Sequence, residues 1–527
     1  MNRTKGLNSM YQGTVGDLLR ERALEHPDKV FLRFREENFT YQQVEEISNR
    51  VANGLQKLGI VKGDKIAMLM DNSQEFVFSA FGILKCGAVE VPINTAHKKQ
   101  LLQYQLNQSD SKMIIVGHEY AQEVKEIFPM LEKVEHIIIV GNLDLFKGYP
   151  VSTFNDLLTF EDKFSPVELH YSDMQSIMFT SGTTGPSKGV IISHRHCLLV
   201  ASDWLRINAF TSEDRLYTPL PLFHTIAHQL GLMATLVAGA EISIVKKFSA
   251  SNFWNDVRTF NATVGHVIFA MIPILLNQPK SPRDKTHNLR SVYIGPSALS
   301  SAFEERFGAK VVEVYGASET AFLTSFEYGQ VKPGSCGKAN ENYELKIVDD
   351  YDEEVPVGHA GEFVVRSKNP YTLSQGYYNM PNETVEAFRN LWFHTGDFGY
   401  CDQDGYYYFV DRKKDAIRRR GENISSFEVE SIINNHEDVL ESAAIAVPSE
   451  LSEDDVKVVI VLKEGSTLSA KELHQYCIEN MAKFMVPRYI EFSKELPKTA
   501  TGKIQKVILR KVPISTITWD VEQSVKL

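Results

Sequence analysis

The chain has 527 residues, 43% hydrophobic and 23% charged, enough for one large and one small unit around a sizeable core. Its net charge of −11 argues against general nucleic-acid binding, which calls for a basic face. Five scattered cysteines without a Cys-x-x-Cys pair predict a reducing compartment and no zinc site. The polar start predicts no signal peptide. The longest apolar run, Val267 to Leu276, is about half a membrane span and is broken by Pro273, so a cytoplasmic protein with no membrane span is expected.

Residues 14–26 show helical spacing, with Val15, Leu18, Leu19 and Ala23 on one face and Pro27 as the stop. Val30 to Phe34 alternates as a strand. Thr40-Tyr41 opens a second amphipathic helix through Val44, Ile47, Val51, Leu55 and Leu58, ending at Gly59. Ile66 to Met70 reads as a buried strand, residues 74–85 as a helix, and Ala88 to Pro92 as a strand. Met113 to Val116 and His136 to Val140 read as two more. This alternation predicts an α/β fold with a mostly parallel sheet covered on both faces.

The stretch Thr180-Ser181-Gly182-Thr183-Thr184-Gly185-Pro186-Ser187-Lys188-Gly189 then lies between two strand-like runs, Ser176 to Phe179 and Val190 to Ile192. Glycines let successive backbone N–H groups converge on one anion; the hydroxyls add donors and Lys188 adds positive charge. It reads as a phosphate cradle. A mobile Ser/Gly linker is the plainer alternative, but such linkers seldom join two apolar strands. Nor is it the common P-loop, whose Gly-Lys-Ser/Thr opens a helix, so a Mg²⁺ ligand has to come from elsewhere.

A helix near 195–207 follows, then Tyr217 to Thr225, where two prolines make a rigid approach to Phe223-His224. His224 reads equally well as a satisfied loop histidine or as a site residue. Glu241 to Val245 reads as a strand, Phe253 to Phe260 as a helix, and the apolar segment from Val267 as core. The strand Val311 to Tyr315 ends on Gly316-Ala317-Ser318-Glu319-Thr320. A carboxylate beside a hydroxyl suits a Mg²⁺–phosphate site, although an isolated Glu-Thr pair carries no information. Residues 343–366 predict a small antiparallel sheet. Asp397 is either a Gly-Asp turn residue or a carboxylate that accepts from both hydroxyls of a ribose. The strand Gly405 to Val410 is expected to break at Asp411-Arg412-Lys413-Lys414-Asp415. Beyond it a helix at 427–433, strands at 443–447 and 458–462 and a helix at 469–481 predict a separate α+β unit. The expected division is 1–413 and 414–527, with a hinge near 411–415. Lys503, in Pro497 to Ile504, reads by itself as a surface lysine.

Taken together, the Thr180–Gly189 loop, Tyr315-Gly316-Ala317-Ser318-Glu319-Thr320, Thr395-Gly396-Asp397 and Thr501-Gly502-Lys503 resemble, in order, the motifs of the adenylate-forming superfamily. That superfamily holds acyl-CoA synthetases, luciferases and the adenylation domains of peptide synthetases. The resemblance runs from about residue 14 to 506. Phe248 to Trp254, Asp404 to Arg412 and Asn480 to Pro487 look most like bacterial acid–CoA ligases of the crotonobetaine/carnitine group. The fold so implied has a large N-terminal domain of stacked mixed and parallel sheets with helices, a small β-barrel-like subdomain, and a small mobile C-terminal α+β domain.

The implied reaction joins a small-molecule carboxylic acid to ATP with Mg²⁺. It gives acyl-adenylate and pyrophosphate, then an acyl-CoA thioester and AMP with coenzyme A as acceptor. Carnitine-like, crotonobetaine-like and short- or medium-chain acids are the candidates. The alternatives are an enzyme that loads an acyl or aminoacyl group onto a carrier protein, and a non-catalytic homologue. Intact Lys503, Glu319 and Asp397 argue against the latter. A homodimer is compatible with the resemblance, and no residue pattern specifies it.

By motif position the resemblance assigns ATP and AMP to Thr180, Ser181, Gly182, Thr183, Thr184, Lys188, Tyr315, Gly316, Thr320, Asp397 and Arg412. Glu319 takes Mg²⁺, and Lys503 reaches the carboxylate and α-phosphate. His224, Phe269, Ala270, Gly295 and Tyr315 line the acyl pocket, with His224 also gating the thiol's path. Lys414 is the pivot, and Gly421 and Glu422 lie beside the thiol tunnel. The segment Ile294-Gly295-Pro296-Ser297-Ala298-Leu299 departs from the Gly-Gly-Ala-Pro-Leu usual there.

Overall fold

The computed structural model describes the chain except residues 1–10, 181–186, 269–270, 295–299, 413–416, 420–421, 425, 450–452, 498–503, 505 and 525–527. Helix Val15–Glu25 begins where Thr14 accepts from Asp17 N–H and the Asp17 carboxylate accepts from Thr14 N–H, a capping box that satisfies two otherwise orphaned donors. Val15, Leu18, Leu19 and Ala23 are its buried face. Thr40 caps Tyr41–Lys57 in the same way.

Among the described residues the large part holds two sheets. The seven-stranded one runs Val151–Thr153, His136–Val140, Ser111–Gly117, Lys65–Leu69, Val89–Pro92, Met174–Thr180 and Lys188–Ser193. The first six strands are parallel and the last pair is antiparallel. The reversal follows from chain length: the hydroxyl–glycine segment is too short for a helical crossover, so the chain returns beside the strand it left.

The thirteen-stranded sheet has a half that is parallel except for the antiparallel edge strand Glu37–Thr40, and an antiparallel half. Strand Lys310–Ala317 joins them, pairing parallel with Ser291–Ile294 on one side and antiparallel with Ala321–Ser325 on the other. The sheet expected at 343–366 is therefore one end of this larger sheet and not a free-standing one. Tyr343–Val348 and Gly361–Ser367 pair antiparallel at its edge, next to Phe393–Cys401. Strand Tyr406–Arg412 runs two residues into the charge run expected to break it, because Asp411 and Arg412 pair with Phe398 and Asp397. Between the sheets, helix His194–Ile207 buries Trp204 completely, its ring 5.0 Å from that of Tyr293.

The C-terminal residues form their own four-stranded sheet, ordered Val439–Pro448, Asp454–Leu462, Tyr489–Phe492 and Trp519–Asp520. Helices Ser426–Asn434 and Ala470–Asn480 enclose a separate core that includes Ile433, Val458, Ile460 and Leu473. This unit meets helix Lys99–Gln108 through Asn435 to Gln100 and Lys99 to Asn480 hydrogen bonds of 2.8 and 2.7 Å. No helix among the described residues is long and apolar enough to cross a membrane.

Candidate active site

Strand ends from both sheets, and one hairpin of the C-terminal unit, surround a cavity of about 860 Å³. At its polar end, Thr180 stands opposite Lys188 in register, and Ser187 Oγ donates to Thr180 O at 2.8 Å. The base of the hydroxyl–glycine loop is thus pinned. Lys188 Nζ lies 4.6 Å from the centre of the Tyr377 ring, and Tyr377 Oη donates to Glu319 Oε1 at 3.0 Å. Burial first, then the charge of Glu319, raises the Tyr377 pKa far above the ordinary phenol value and keeps it a donor. Tyr377 arrives because Gly376 O accepts from Ile191 N–H at 2.9 Å and Tyr378 N–H donates to Gly189 O at 2.8 Å, laying residues 376–378 along the strand edge.

Glu319 sits on a tight turn. A Cβ on Gly316 would fall 1.9 Å from Ala321 O, so only glycine fits there. Thr320 is fully buried; its hydroxyl accepts from Ala317 N–H at 3.1 Å and donates to Ala321 O at 3.2 Å. It braces the turn that presents Glu319 and does not line the cavity. Gly316 and Tyr315 do line it. Tyr315 Oη donates to Asp397 Oδ2 at 2.7 Å, and Asp397 pairs with Arg412 across the strands. Asp397 is 6% exposed and faces the cavity.

At the cavity mouth, His224 Nε2 lies 2.8 Å from Glu422 Oε2. Glu422 is on the hairpin Ile417–Arg419 and Glu422–Ile424. Burial opposes charge on both partners, and their mutual attraction outweighs it. The His224 pKa is raised above 6.5 and the Glu422 carboxyl is held below 4.5, His97 adding to the latter. Glu428 also lines the cavity, near Ser187. Burial raises its pKa to about 7, against a hydrogen bond from Ser187 N–H.

The structure therefore brings together Thr180, Lys188, Tyr315, Gly316, Glu319, Asp397, His224 and Glu422. Ser181, Gly182, Thr183, Thr184, Phe269, Ala270, Gly295, Lys414, Gly421 and Lys503 lie outside the described residues, and Arg412 is described in its backbone alone. Tyr377, Glu428 and Gln229 are cavity residues that sequence reasoning missed. Tyr377 gave no periodic or motif signal, and Glu428 reads as an ordinary charge on an amphipathic helix.

Two family models match the chain: AMP-binding enzyme over residues 19–378, and AMP-binding enzyme C-terminal domain over 428–503. The chain is 36% identical over 488 residues to a crotonobetaine/carnitine–CoA ligase of Salmonella paratyphi A, covering 90% of this chain and 93% of that one. Among solved structures it resembles the anthranilate CoA ligase AuaEII in complex with anthranoyl-AMP, at 30% identity and TM-score 0.71, covering 95% and 97% of the two chains. It also resembles a double mutant of the o-succinylbenzoate CoA synthetase of Bacillus subtilis bound with its product analogue OSB-NCoA. There the identity is 25% and the TM-score 0.81, covering 95% and 99%.

Proposed function

This chain belongs to the AMP-binding enzyme family and is an ATP-dependent acid–CoA ligase, and from that premise we propose how a single cavity serves two successive half-reactions. In the first, the acid's carboxylate attacks the α-phosphorus of ATP and pyrophosphate leaves. In the second, the thiolate of coenzyme A attacks the acyl carbon and AMP leaves. The carboxylate is already anionic, so the first step needs no general base; it needs positioning and charge neutralisation. We assign Thr180, Lys188 and the loop between them to the phosphates, Asp397 and Arg412 to the ribose, and Tyr315 to the adenine edge of the cavity. Lys503 is assigned to the reacting carboxylate and α-phosphate. Thr320 acts in this reading by holding the turn.

Glu319 fits a Mg²⁺ site. It is a hard oxygen ligand facing the cavity, oriented by the Tyr377 hydroxyl. Among the described residues no group of three or more His, Cys, Asp or Glu can hold a metal, so Glu319 would share the ion with phosphate oxygens and water. Bound there, Mg²⁺ supplies neutralisation of the phosphate charge.

The observation that carries the reading is the convergence of Lys188, Glu319, Asp397 and the His224–Glu422 pair on one cavity. We take residues 1–413 as the large domain and 414–527 as the mobile one, with a hinge near 411–415. In support, Arg412 ends the last strand, in chain order, of the large sheet and the two family matches leave 379–427 between them. The Glu422 hairpin at the cavity mouth supports reading the present arrangement as the thioester-forming pose.

The candidate acids are carnitine, crotonobetaine and short- or medium-chain acids. ATP–pyrophosphate exchange over such a panel, with CoA added and thioester detected by mass, tests the reading. Exchange plus thioester is expected. Exchange without thioester redirects the second half-reaction to a carrier protein, and no exchange with any acid overturns the proposal.

A further inference from the structure

Two histidines line the cavity, His224 and His97, and the charge of Glu422 acts on both. His224 Nε2 is engaged by the Glu422 carboxylate, which favours the imidazolium form. An imidazolium only donates, so it cannot take a proton. His97 is the opposite case.

His97 lies in the loop between strand Val89–Pro92 and helix Lys99–Gln108. Asn94 holds that loop: its Oδ1 accepts from Ala96 N–H at 2.9 Å and its carbonyl from His97 N–H at 3.0 Å. His97 Nδ1 donates at 2.9 Å to Oε1 of Gln105, which is 1% exposed on the helix that follows. That bond sets the tautomer, with the proton on Nδ1 and a lone pair on Nε2. His97 is 9% exposed, and Nε2, across the ring from Gln105, keeps access to the cavity that the residue lines. The Nε2 atoms of His196 and His266, by contrast, are sealed in the interior. Burial holds the His97 pKa below 6.5 against the opposing pull of Gln105 and Glu422, and the His224 charge lowers it further. Two like groups driven apart in one site mark an acid form and a base form.

We propose that His97 is the general base of the second half-reaction, taking the proton of the coenzyme A thiol. Nε2 accepts the S–H proton while sulfur forms its bond to the acyl carbon. The carbonyl re-forms as the carbon–oxygen bond to the phosphate breaks, and AMP leaves with that electron pair. The imidazolium, favoured by the charge of Glu422, then releases its proton to solvent. Gln105 is a positioning residue, because it acts through the His97 tautomer. This inference rests on the ligase reading.

The test follows thioester formation against pH, with the adenylates of butyrate, hexanoate, carnitine and crotonobetaine supplied and CoA added. In the natural protein the rising limb should have its midpoint below 6.5. His97→Gln should form thioester about a hundredfold more slowly at pH 7. Without a base the thiol must ionise by itself, near a pKa of about 8.5. The ratio of variant to natural rate should therefore climb about tenfold per pH unit between about pH 6.5 and 8. The His224–Glu422 pair is common to both proteins and cancels from that ratio. Gln105→Glu still accepts from Nδ1, and its charge should move the rising limb upward. A natural profile still climbing at about pH 8 overturns the inference with no variant made. A flat ratio for His97→Gln, or an unmoved limb in Gln105→Glu, overturns it while the ligase reading stands. No thioester from any adenylate with the natural protein overturns the ligase reading and this inference with it.

Discussion

His224 Nε2 and Glu422 Oε2 meet at 2.8 Å across 198 residues of sequence, tying the segment after two prolines to a hairpin of the C-terminal unit. Each partner sustains the other's charge, so the contact is conditional on protonation state as well as on pose. His224, 41% exposed at its side chain, faces the cavity and is reached by solvent there, which screens the pair.

The sign of the pH dependence follows from the two shifts. The His224 pKa is raised, so its contribution is fully present below the ordinary value of 6.5 and is lost as pH rises through the raised value. The Glu422 pKa is lowered, so its contribution is present above 4.5 and is lost as pH falls through the lowered value. Thioester formation from supplied acyl-adenylate should therefore decline on the alkaline side of a pKa above 6.5, and the decline should vanish in Glu422→Gln. Glu422→Gln should itself slow that half-reaction roughly five- to tenfold, the scale of one partly screened charge-assisted hydrogen bond. Pyrophosphate exchange should be unaffected. An unchanged pH profile in Glu422→Gln would mean that the pair plays no part in the second step.

Tyr377 links Lys188 to Glu319, and its two contacts are separable. Tyr377→Phe keeps the ring under the Lys188 ammonium and removes the hydrogen bond to Glu319. The expected result is a several-fold higher Mg²⁺ requirement for pyrophosphate exchange, with folding stability lowered by about 1 kcal/mol. Glu319→Gln, which removes the ligand charge itself, should lower exchange by about a hundredfold or more. A Mg²⁺ titration of each variant reads both effects. If Tyr377→Phe and the natural protein titrate alike, the hydroxyl does not orient the ligand.

These contacts also show which parts of the site a sequence can carry. Helix Val15–Glu25 was legible because its apolar spacing and its stop at Pro27 are local. The hydroxyl–glycine segment was legible as a turn between two strands because the apolar runs beside it are local, while Thr180 and Lys188, read as part of that turn, pair as strand residues. Tyr377, Glu428 and Gln229 were not, because each reaches the cavity through tertiary packing. Tyr377 comes in along a strand edge some 187 residues away in sequence, Glu428 on a helix of the other unit, and Gln229 on a π-helix that no spacing pattern announces. Thr320 is the converse case, a motif residue that the packing sets behind the cavity wall. Its motif position points to phosphate, while its hydroxyl is spent on two backbone groups of its own turn. The antiparallel end of the large sheet read as separate because local alternation does not reveal that Lys310–Ala317 is shared.

The two-pose reading predicts a clean separation at Lys503. Lys503→Ala should reduce pyrophosphate exchange by about a hundredfold or more, since it removes the cation at the reacting phosphate. Thioester formation from supplied acyl-adenylate should stay within about twofold of the natural rate. Equal failure of both half-reactions would overturn the assignment of Lys503 to one pose.

Lys85 Nζ is 2.5 Å from Glu45 Oε2 and 2.6 Å from Asn49 Oδ1, and the two charged side chains are 5% and 12% exposed. Burial pulls the Lys85 pKa down to about 8, with Glu45 opposing that. Desolvation therefore wins over attraction here. Because the folded pKa lies below the ordinary 10.5, the unfolded chain binds more protons between about pH 8 and 10.5, and this residue's contribution to stability rises with pH across that window. Removing one partner of such a pair strands the other, whereas replacing the cation by an apolar chain of like length does not. Glu45→Ala should cost about 3 kcal/mol, and Lys85→Met should be neutral or stabilising by about 1 kcal/mol. Urea denaturation at pH 7 and pH 10 distinguishes them: the natural protein should gain on Lys85→Met as pH rises. If Lys85→Met loses as much at pH 7 as Glu45→Ala, the pair is net stabilising and the desolvation argument fails.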